Sequence, residues 1–240
     1  MKKISEGWVT RNCHFIPQVY LKGFTGKNSL IKVYDKKKNI TFTNNKSNIG
    51  SFRDLYNGIE KGKKVSFENY FTFFVDNKYD EIMNKIKKYS SCILVNKPLD
   101  MENIKELLSD YIANQMMRIP SILLKLYKEY KLIFDILDYD IENIFESKDK
   151  INEARNIIKE YNSEEAYKFM VLNKIVNNKV MFEKIKGILK SKTWFLFKNE
   201  SSIPFITSDN PVVIYNMEIG KLKGGIANKY VFIEIGRAHV

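Results

Sequence analysis

The hydrophobic period of the chain changes twice along its length, and this change limits the folds that the sequence can adopt. β-branched and aromatic residues dominate the runs Leu30–Tyr34 and Ile40–Thr43, which flank a charged turn and predict a β-hairpin. From Ser66 to Ile188 apolar residues recur at steps of three and four, as in amphipathic helices. β-type runs return in TWFLFKN, IPFITSDNPVVIY and KYVFIEI. The sequence therefore predicts an α+β protein whose sheet is built from the N-terminal and C-terminal regions, with a large helical insertion between them.

Length and composition indicate an ordinary globular protein. The 240 residues are 44% hydrophobic and 28% charged, so we expect a packed core and not a disordered or fibrous chain. No run approaches the ~20 apolar residues of a membrane span, and no apolar signal segment follows the basic start. The two cysteines, Cys13 and Cys92, lie far apart, which favours neither a disulfide framework nor a zinc site. We expect a cytoplasmic protein without a membrane partner.

The last seven residues suggest a different origin from the rest of the chain. EIGRAHV, residues 234–240, back-translates to the opening of a common sequencing adapter. We therefore expect one α+β domain over residues 1–233, truncated at its C-terminus, and a non-native tail over residues 234–240. On this interpretation His14 is the one native histidine, because the second, His239, belongs to the tail.

The net charge of +12 has two interpretations. Lysines that neutralise phosphates release counterions, so a basic chain can bind nucleic acid. Lysine, asparagine and isoleucine are also the residues that an AT-rich genome encodes. The lysines are scattered along this chain and form no single stripe, which favours codon bias over a nucleic-acid surface.

A helix predicted from about Met101 carries two polar residues on its apolar face. The apolar stripe consists of Ile104, Leu107, Leu108, Tyr111, Ile112, Met116 and Ile119. At about 100° per residue, Gln115 and Arg118 fall within this stripe and point inward. A buried guanidinium needs an anionic partner, and Asp209 is the expected one. Pro120 ends or kinks this helix, and a second helix is expected from about Ser121 to Leu137. Residues 47–62 are polar and contain glycine, so we expect a loop there.

Short polar clusters interrupt two apolar runs. RNCHFIPQVYLKGF contains His14 and Gln18, which share a face if the segment is extended. His14 is either an acid, base or metal ligand near neutral pH or a structural histidine with its hydrogen bonds satisfied. TSDNPVV contains Ser208, Asp209 and Asn210, residues that are typical of a turn. At the end of a sheet, such a turn is also a common place for a functional site.

These motifs, in this order, resemble the pattern of the domain of unknown function 4238 (DUF4238) family. HFIPQVYLKGF is similar to the family opening His-Tyr-Val-Pro-Gln-Phe-Tyr-Leu-Arg-x-Phe, with Lys22 in place of the arginine. IKVYDKK, Gln115 with Arg118-Ile119-Pro120, WFLF and FITSDNPVV follow. The resemblance extends from His14 to about Val213. It implies a shared fold and a shared site but no established activity.

Two functions are compatible with these residues. In the first, the protein is a bacterial enzyme that acts on a phosphate-containing or nucleic-acid substrate, a chemistry compatible with a defence role, and His14 and Asp209 are the catalytic candidates. The substrate-binding candidates are Gln18, Gln115, Arg118, Ser208 and Asn210. A divalent metal is the one cofactor that this hypothesis leaves room for, and it expects His14, Arg118 and Asp209 to converge in a cleft. In the second, the protein is a non-catalytic binding or interaction protein whose polar motifs lock the sheet to the helices.

Overall fold

The fold of the chain is given by a computed structural model that describes residues 5–6, 11–90, 102–195, 202–203, 205–215 and 230–233. It combines helices with small strand pairs, so the predicted α+β class is confirmed. Contacts divide the chain into two compact units. Unit 1 comprises Met1–Cys13, Phe52–Thr72 and Pro120–Asn178, and unit 2 comprises His14–Ser51, Phe73–Ile119 and Lys179–Val240. The single domain over residues 1–233 stays a prediction, and the tail over residues 234–240 lies outside the described residues.

Within these residues the strands form separate small sheets. They are β1 (Ser5–Glu6), β2 (Asn12–His14), β3 (Leu30–Asp35), β4 (Ile40–Asn45), β5 (Ser51–Arg53), β6 (Asn57–Glu60), β7 (Lys63–Ser66), β8 (Val212–Tyr215) and β9 (Tyr230–Ile233). One sheet has the order β1-β7-β6, and β2 pairs with β5, β3 with β4, and β8 with β9. The hairpin of β3 and β4 is antiparallel, as the sequence predicts. No pairing between described strands joins the two terminal regions, so their joint sheet stays a prediction.

Helices account for most of the central part of the chain. They are α1 (Gln18–Leu21), α2 (Glu68–Phe74), α3 (Tyr79–Ser90), α4 (Glu102–Met117), α5 (Pro120–Ile144), α6 (Lys148–Tyr161), α7 (Glu164–Asn177) and α8 (Lys179–Ser191). Pro120 separates α4 from α5, as expected, because proline lacks an N–H and is tolerated in the first turn of a helix. The helix after it continues past the expected end at Leu137, because the inward apolar period includes the buried Ile141. None of the described helices is long and apolar enough to cross a bilayer.

Unit 1 is built on a close approach between β6 and α7. A Cβ atom placed on Gly58 would lie 2.8 Å from the main-chain nitrogen of Phe169 and 2.9 Å from the carbonyl oxygen of Glu165. From α5, the Tyr127 hydroxyl donates to the carbonyl oxygen of Leu55 at 2.9 Å. The loop expected over residues 47–62 is therefore partly wrong, because β5 and β6 form there and β6 packs on a helix. Glycine and polar residues disguise this strand, whose stability comes from tertiary contact.

Unit 2 contains α4 packed against α3 and α8. The inward side of α4 is apolar, with Ile104, Leu108 and Ile112 buried. On its outer side, the Glu106 carboxylate accepts from Lys186 Nζ at 2.7 Å and from Lys190 Nζ at 2.6 Å, both on α8. These hydrogen bonds lower the pKa of Glu106 to about 2. Packing and charge thus hold α4 in place, and α4 is the helix that carries Gln115 and Arg118.

Candidate functional site

Arg118 is buried in unit 2 and holds the end of β2. Its side chain is 0% exposed, Nη1 donates to Asp76 Oδ1 at 2.5 Å, and Nη2 donates to the main-chain carbonyl oxygen of His14. The expectation that Asp209 is the partner of Arg118 is wrong, because the ion pair is made with Asp76. Asp76 shortly precedes α3, which packs on α4, so its carboxylate lies close to the guanidinium. The charge of Arg118 is compensated by neighbouring groups, as burial requires.

Gln115, one helical turn before Arg118, holds the next residue of the same segment. Its Nε2 donates to the carbonyl oxygen of Phe15 at 2.8 Å. On the other side, the main-chain N–H groups of Phe15 and Ile16 donate to the carbonyl oxygen of Gly50 at 2.9 and 3.1 Å. The inward orientation predicted for both α4 side chains is confirmed, since Gln115 is also fully buried. Both side chains position the main chain of residues 14–16.

The His14 ring lies above this anchored main chain and is half-buried. Its Nε2 is 3.0 Å from the carbonyl oxygen of Ser47 and 3.4 Å from Nε2 of Gln18. A carbonyl oxygen only accepts, so the shorter contact places the proton on Nε2 of His14 and leaves the lone pair of the neutral ring on Nδ1. His14 and Gln18 share a face as expected, but through the start of α1 and not through an extended segment.

The electrostatic environment keeps the His14 ring neutral. Burial lowers the pKa of His14 below its usual value; the hydrogen bond to Ser47 opposes this shift, and the charge of Arg118 adds to it. The nearby charge of Asp76 raises the pKa, and that of Lys46 lowers it. An imidazole that is neutral near pH 7 can accept a proton from a reacting group.

Lys46 completes a row of polar side chains beside this ring. Its Nζ donates to Gln18 Oε1 at 3.5 Å, so the order Lys46, Gln18, His14 is continuous. We call these three side chains the His14 patch; each of them is partly exposed. The sequence pattern does not single out Lys46, because it is one of 40 basic residues and only the turn after β4 brings it to His14.

The cluster of Ser208, Asp209 and Asn210 is an exposed turn before β8. The Ser208 hydroxyl donates to the carbonyl oxygen of Asn210 at 2.8 Å and accepts from its N–H at 3.1 Å. The preceding residue, Thr207, shares a hydrogen bond of 2.7 Å with the Tyr20 hydroxyl, which ties this turn to α1. No contact between described residues joins the Asp209 carboxylate to His14 or Arg118, and the convergence of the three stays a prediction.

The described residues contain no group of three or more His, Cys, Asp or Glu side chains that is arranged to hold a metal ion. Asp76, the carboxylate nearest to the anchored segment, is already paired with Arg118. The His14 patch offers an ammonium group, an amide and an imidazole, and an ammonium group cannot be a metal ligand. The patch is therefore better suited to an anion than to a cation.

Comparison with known protein families agrees with the order of the motifs. A family model described as "Protein of unknown function (DUF4238)" matches residues 12–240. The chain belongs to this family. Searches of curated proteins and of solved structures gave no match. Membership of the family therefore carries no activity to the His14 patch, and its function has to be argued from its own chemistry.

Proposed function

We propose that this DUF4238 protein is an enzyme that acts on a phosphate-containing substrate, nucleic acid included, at the His14 patch. The observation that carries the proposal is the row of contacts from Lys46 through Gln18 to a half-buried, neutral His14. The ammonium group of Lys46 supplies the positive charge that attracts a phosphate oxygen. Nδ1 of His14 supplies a lone pair that can take a proton from water or from a hydroxyl group.

Gln115 and Arg118 have a different role in this proposal from the one expected of them. Both are fully buried and donate to main-chain carbonyl oxygens of residues 14 and 15. They are therefore positioning residues, since a ligand at the surface would not touch them. Asp209 remains a catalytic candidate, with Ser208 and Asn210 beside it, because the bond between Thr207 and Tyr20 supports a place for their turn in the same unit.

The test compares the full-length chain with two variants of the patch. Hydrolysis of bis-p-nitrophenyl phosphate, p-nitrophenyl phosphate and short oligonucleotides is measured at about pH 7.5, where a neutral imidazole can act as a base. We expect His14→Asn to lower kcat by about 100-fold or more, as the loss of a general base does. We expect Lys46→Ala to raise KM by about tenfold, the effect of losing about 1.4 kcal/mol of binding. Lys150→Ala, which removes an exposed lysine of α6, is the matched control and should leave both constants unchanged.

The buried contacts favour a second candidate, a non-catalytic binding or interaction protein. Arg118 and Gln115 bind the main chain, which is what the structural interpretation of these motifs requires. In that case the wild type hydrolyses none of the substrates, and His14→Asn and Asp209→Ala lower the melting temperature while no phosphate ligand raises it. Full activity of His14→Asn would remove His14 from the mechanism.

Two coarser expectations are also proposals. A free, buried Cys13 supports a reducing, cytoplasmic location. The hydrogen bond between Tyr20 and Thr207 joins the N-terminal and C-terminal regions, and it supports the joint sheet around a helical insertion. A bacterial, defence-type role remains an expectation from the sequence.

A further inference from the structure

Helix α5 of unit 1 has apolar side chains on two faces. One face carries Leu123, Tyr127 and Ile141, which are buried. The other carries large side chains that are 39% to 58% exposed, namely Leu132, Ile133, Ile136, Leu137 and Ile144. At about 100° per residue, most of this second group lies on the side of the helix away from Leu123 and Ile141. We call it the α5 stripe.

The α5 stripe differs from the single apolar residues that are common on protein surfaces. A helix that packs on its own domain needs one apolar face, and α5 has that face already. Its 25 residues make a rod about 38 Å long, and the stripe follows its second half. A continuous exposed apolar surface of this kind is typical of an interaction site.

The charges of α5 indicate which partner fits. Its first half, residues 120–131, carries three lysines and one glutamate, and its second half, residues 132–144, carries four carboxylates and no basic residue. This order opposes the helix dipole, which favours acidic residues near the N-terminus and basic residues near the C-terminus. The charges are thus poorly arranged for an isolated helix. They are well arranged for an antiparallel copy of the same helix, which lays each basic half on an acidic half.

We propose that the α5 stripe is the interface of a homodimer in which α5 of one copy packs antiparallel on α5 of the other. Such an interface is isologous, because a twofold axis relates the two stripes and each contact occurs twice. The exposed leucines and isoleucines form its apolar core, and the oppositely charged halves set the direction. The acidic half also argues against an anionic lipid surface as the partner, since like charges would face each other.

The first test is the mass of the full-length chain in solution, followed by light scattering and sedimentation from about 1 to 100 µM, the range of a micromolar dimer. We expect a species of twice 28.3 kDa at the upper concentrations. Ile136→Glu places a charge in the stripe and should weaken the dimer by about 100-fold or more, a loss of about 2.7 kcal/mol. The matched control is Val180→Glu on α8, where the replaced side chain is 65% exposed, and it should leave the mass unchanged.

The second test examines the direction of the helices. Lys125→Glu with Lys128→Glu makes both halves of α5 acidic, and Asp135→Lys with Asp138→Lys removes the acidic character of the second half. Each double variant should dimerise more weakly than the wild type, while a mixture of the two should associate. Circular dichroism shows that every variant is folded. A wild type that stays monomeric at about 100 µM, a dimer that survives Ile136→Glu, or a mixture that fails to associate would each overturn the proposal. Binding of a monomeric chain to anionic vesicles would assign the stripe to lipid and overturn it as well.

Discussion

At the residue scale, the buried polar side chains of α4 act on the main chain of another segment. Arg118 donates to the carbonyl oxygen of His14, and Gln115 donates to that of Phe15. A buried polar group that loses its partner keeps the cost of its desolvation. These contacts therefore fix one conformation of the segment that presents the His14 ring.

Replacing Arg118 by methionine should destabilise the protein by about 3 to 5 kcal/mol, because it leaves the carboxylate of Asp76 without its ion-pair partner. Chemical unfolding measures this loss. Arg118→Lys should recover only part of it, since one ammonium group cannot reproduce two diverging donors. The double variant Arg118→Met with Asp76→Asn is the control, because it removes both charges; it should be more stable than the single variant. Equal stability of the wild type and Arg118→Met would contradict the anchoring role.

The lowered pKa of His14 predicts how stability depends on pH. In the unfolded chain a histidine titrates near ~6.5, whereas in the folded protein it titrates at a lower pH. As the pH falls below ~6.5, the unfolded state therefore binds more protons, and the free energy of unfolding decreases until the folded pKa is passed.

Unfolding free energies of the wild type and of His14→Gln at about pH 7.5, 6.5 and 5.5, values that bracket the titration of an unfolded histidine, test this dependence. The difference between the two proteins isolates His14, because all carboxylates are common to both. We expect the advantage of the wild type to shrink toward the lowest of these pH values. A constant difference would show that the ring titrates alike in both states.

At the element scale, the contact between β6 and α7 depends on the absence of a side chain at Gly58. A Cβ at this position would lie under 3.0 Å from main-chain atoms of α7, which cannot turn away as a flexible side chain would. Strand and helix would have to separate, and the apolar contacts around them would weaken.

Gly58→Ala should therefore lower the free energy of unfolding by roughly 1 to 3 kcal/mol. Gly187 on α8 is the matched control, since a Cβ added there would have no described atom within 4 Å. Gly187→Ala should stabilise by up to about 1 kcal/mol through helix propensity. Thermal unfolding should show shifts of opposite sign, and shifts of the same sign would contradict the close packing of β6 on α7.

At the scale of the whole molecule, the sequence predicted what depends on local period. The α+β class, the β3–β4 hairpin, the break at Pro120 and the inward Gln115 and Arg118 all follow from apolar spacing and turn residues. Such patterns act over a few residues, and each can be read without knowing the fold.

The partners of the site residues depend on distant contacts and were not predictable in this way. Asp76 is one of 28 acidic residues, and its pairing with Arg118 is decided by the packing of α3 on α4. Lys46 meets Gln18 only because β4 ends in a turn beside α1. Strand β6 was hidden because its glycine serves a tertiary contact and not a strand preference.

The hydrogen bond between Tyr20 and Thr207 also sets an order of events while the chain is being made. A ribosome releases the chain from its N-terminus, so the bonds of Arg118 to His14 and Asp76 can close while the later part of the protein is still to be synthesised. Tyr20, in contrast, has to wait for a residue 187 positions later. The nascent chain can therefore anchor the His14 segment early, and the turn that carries Asp209 docks last.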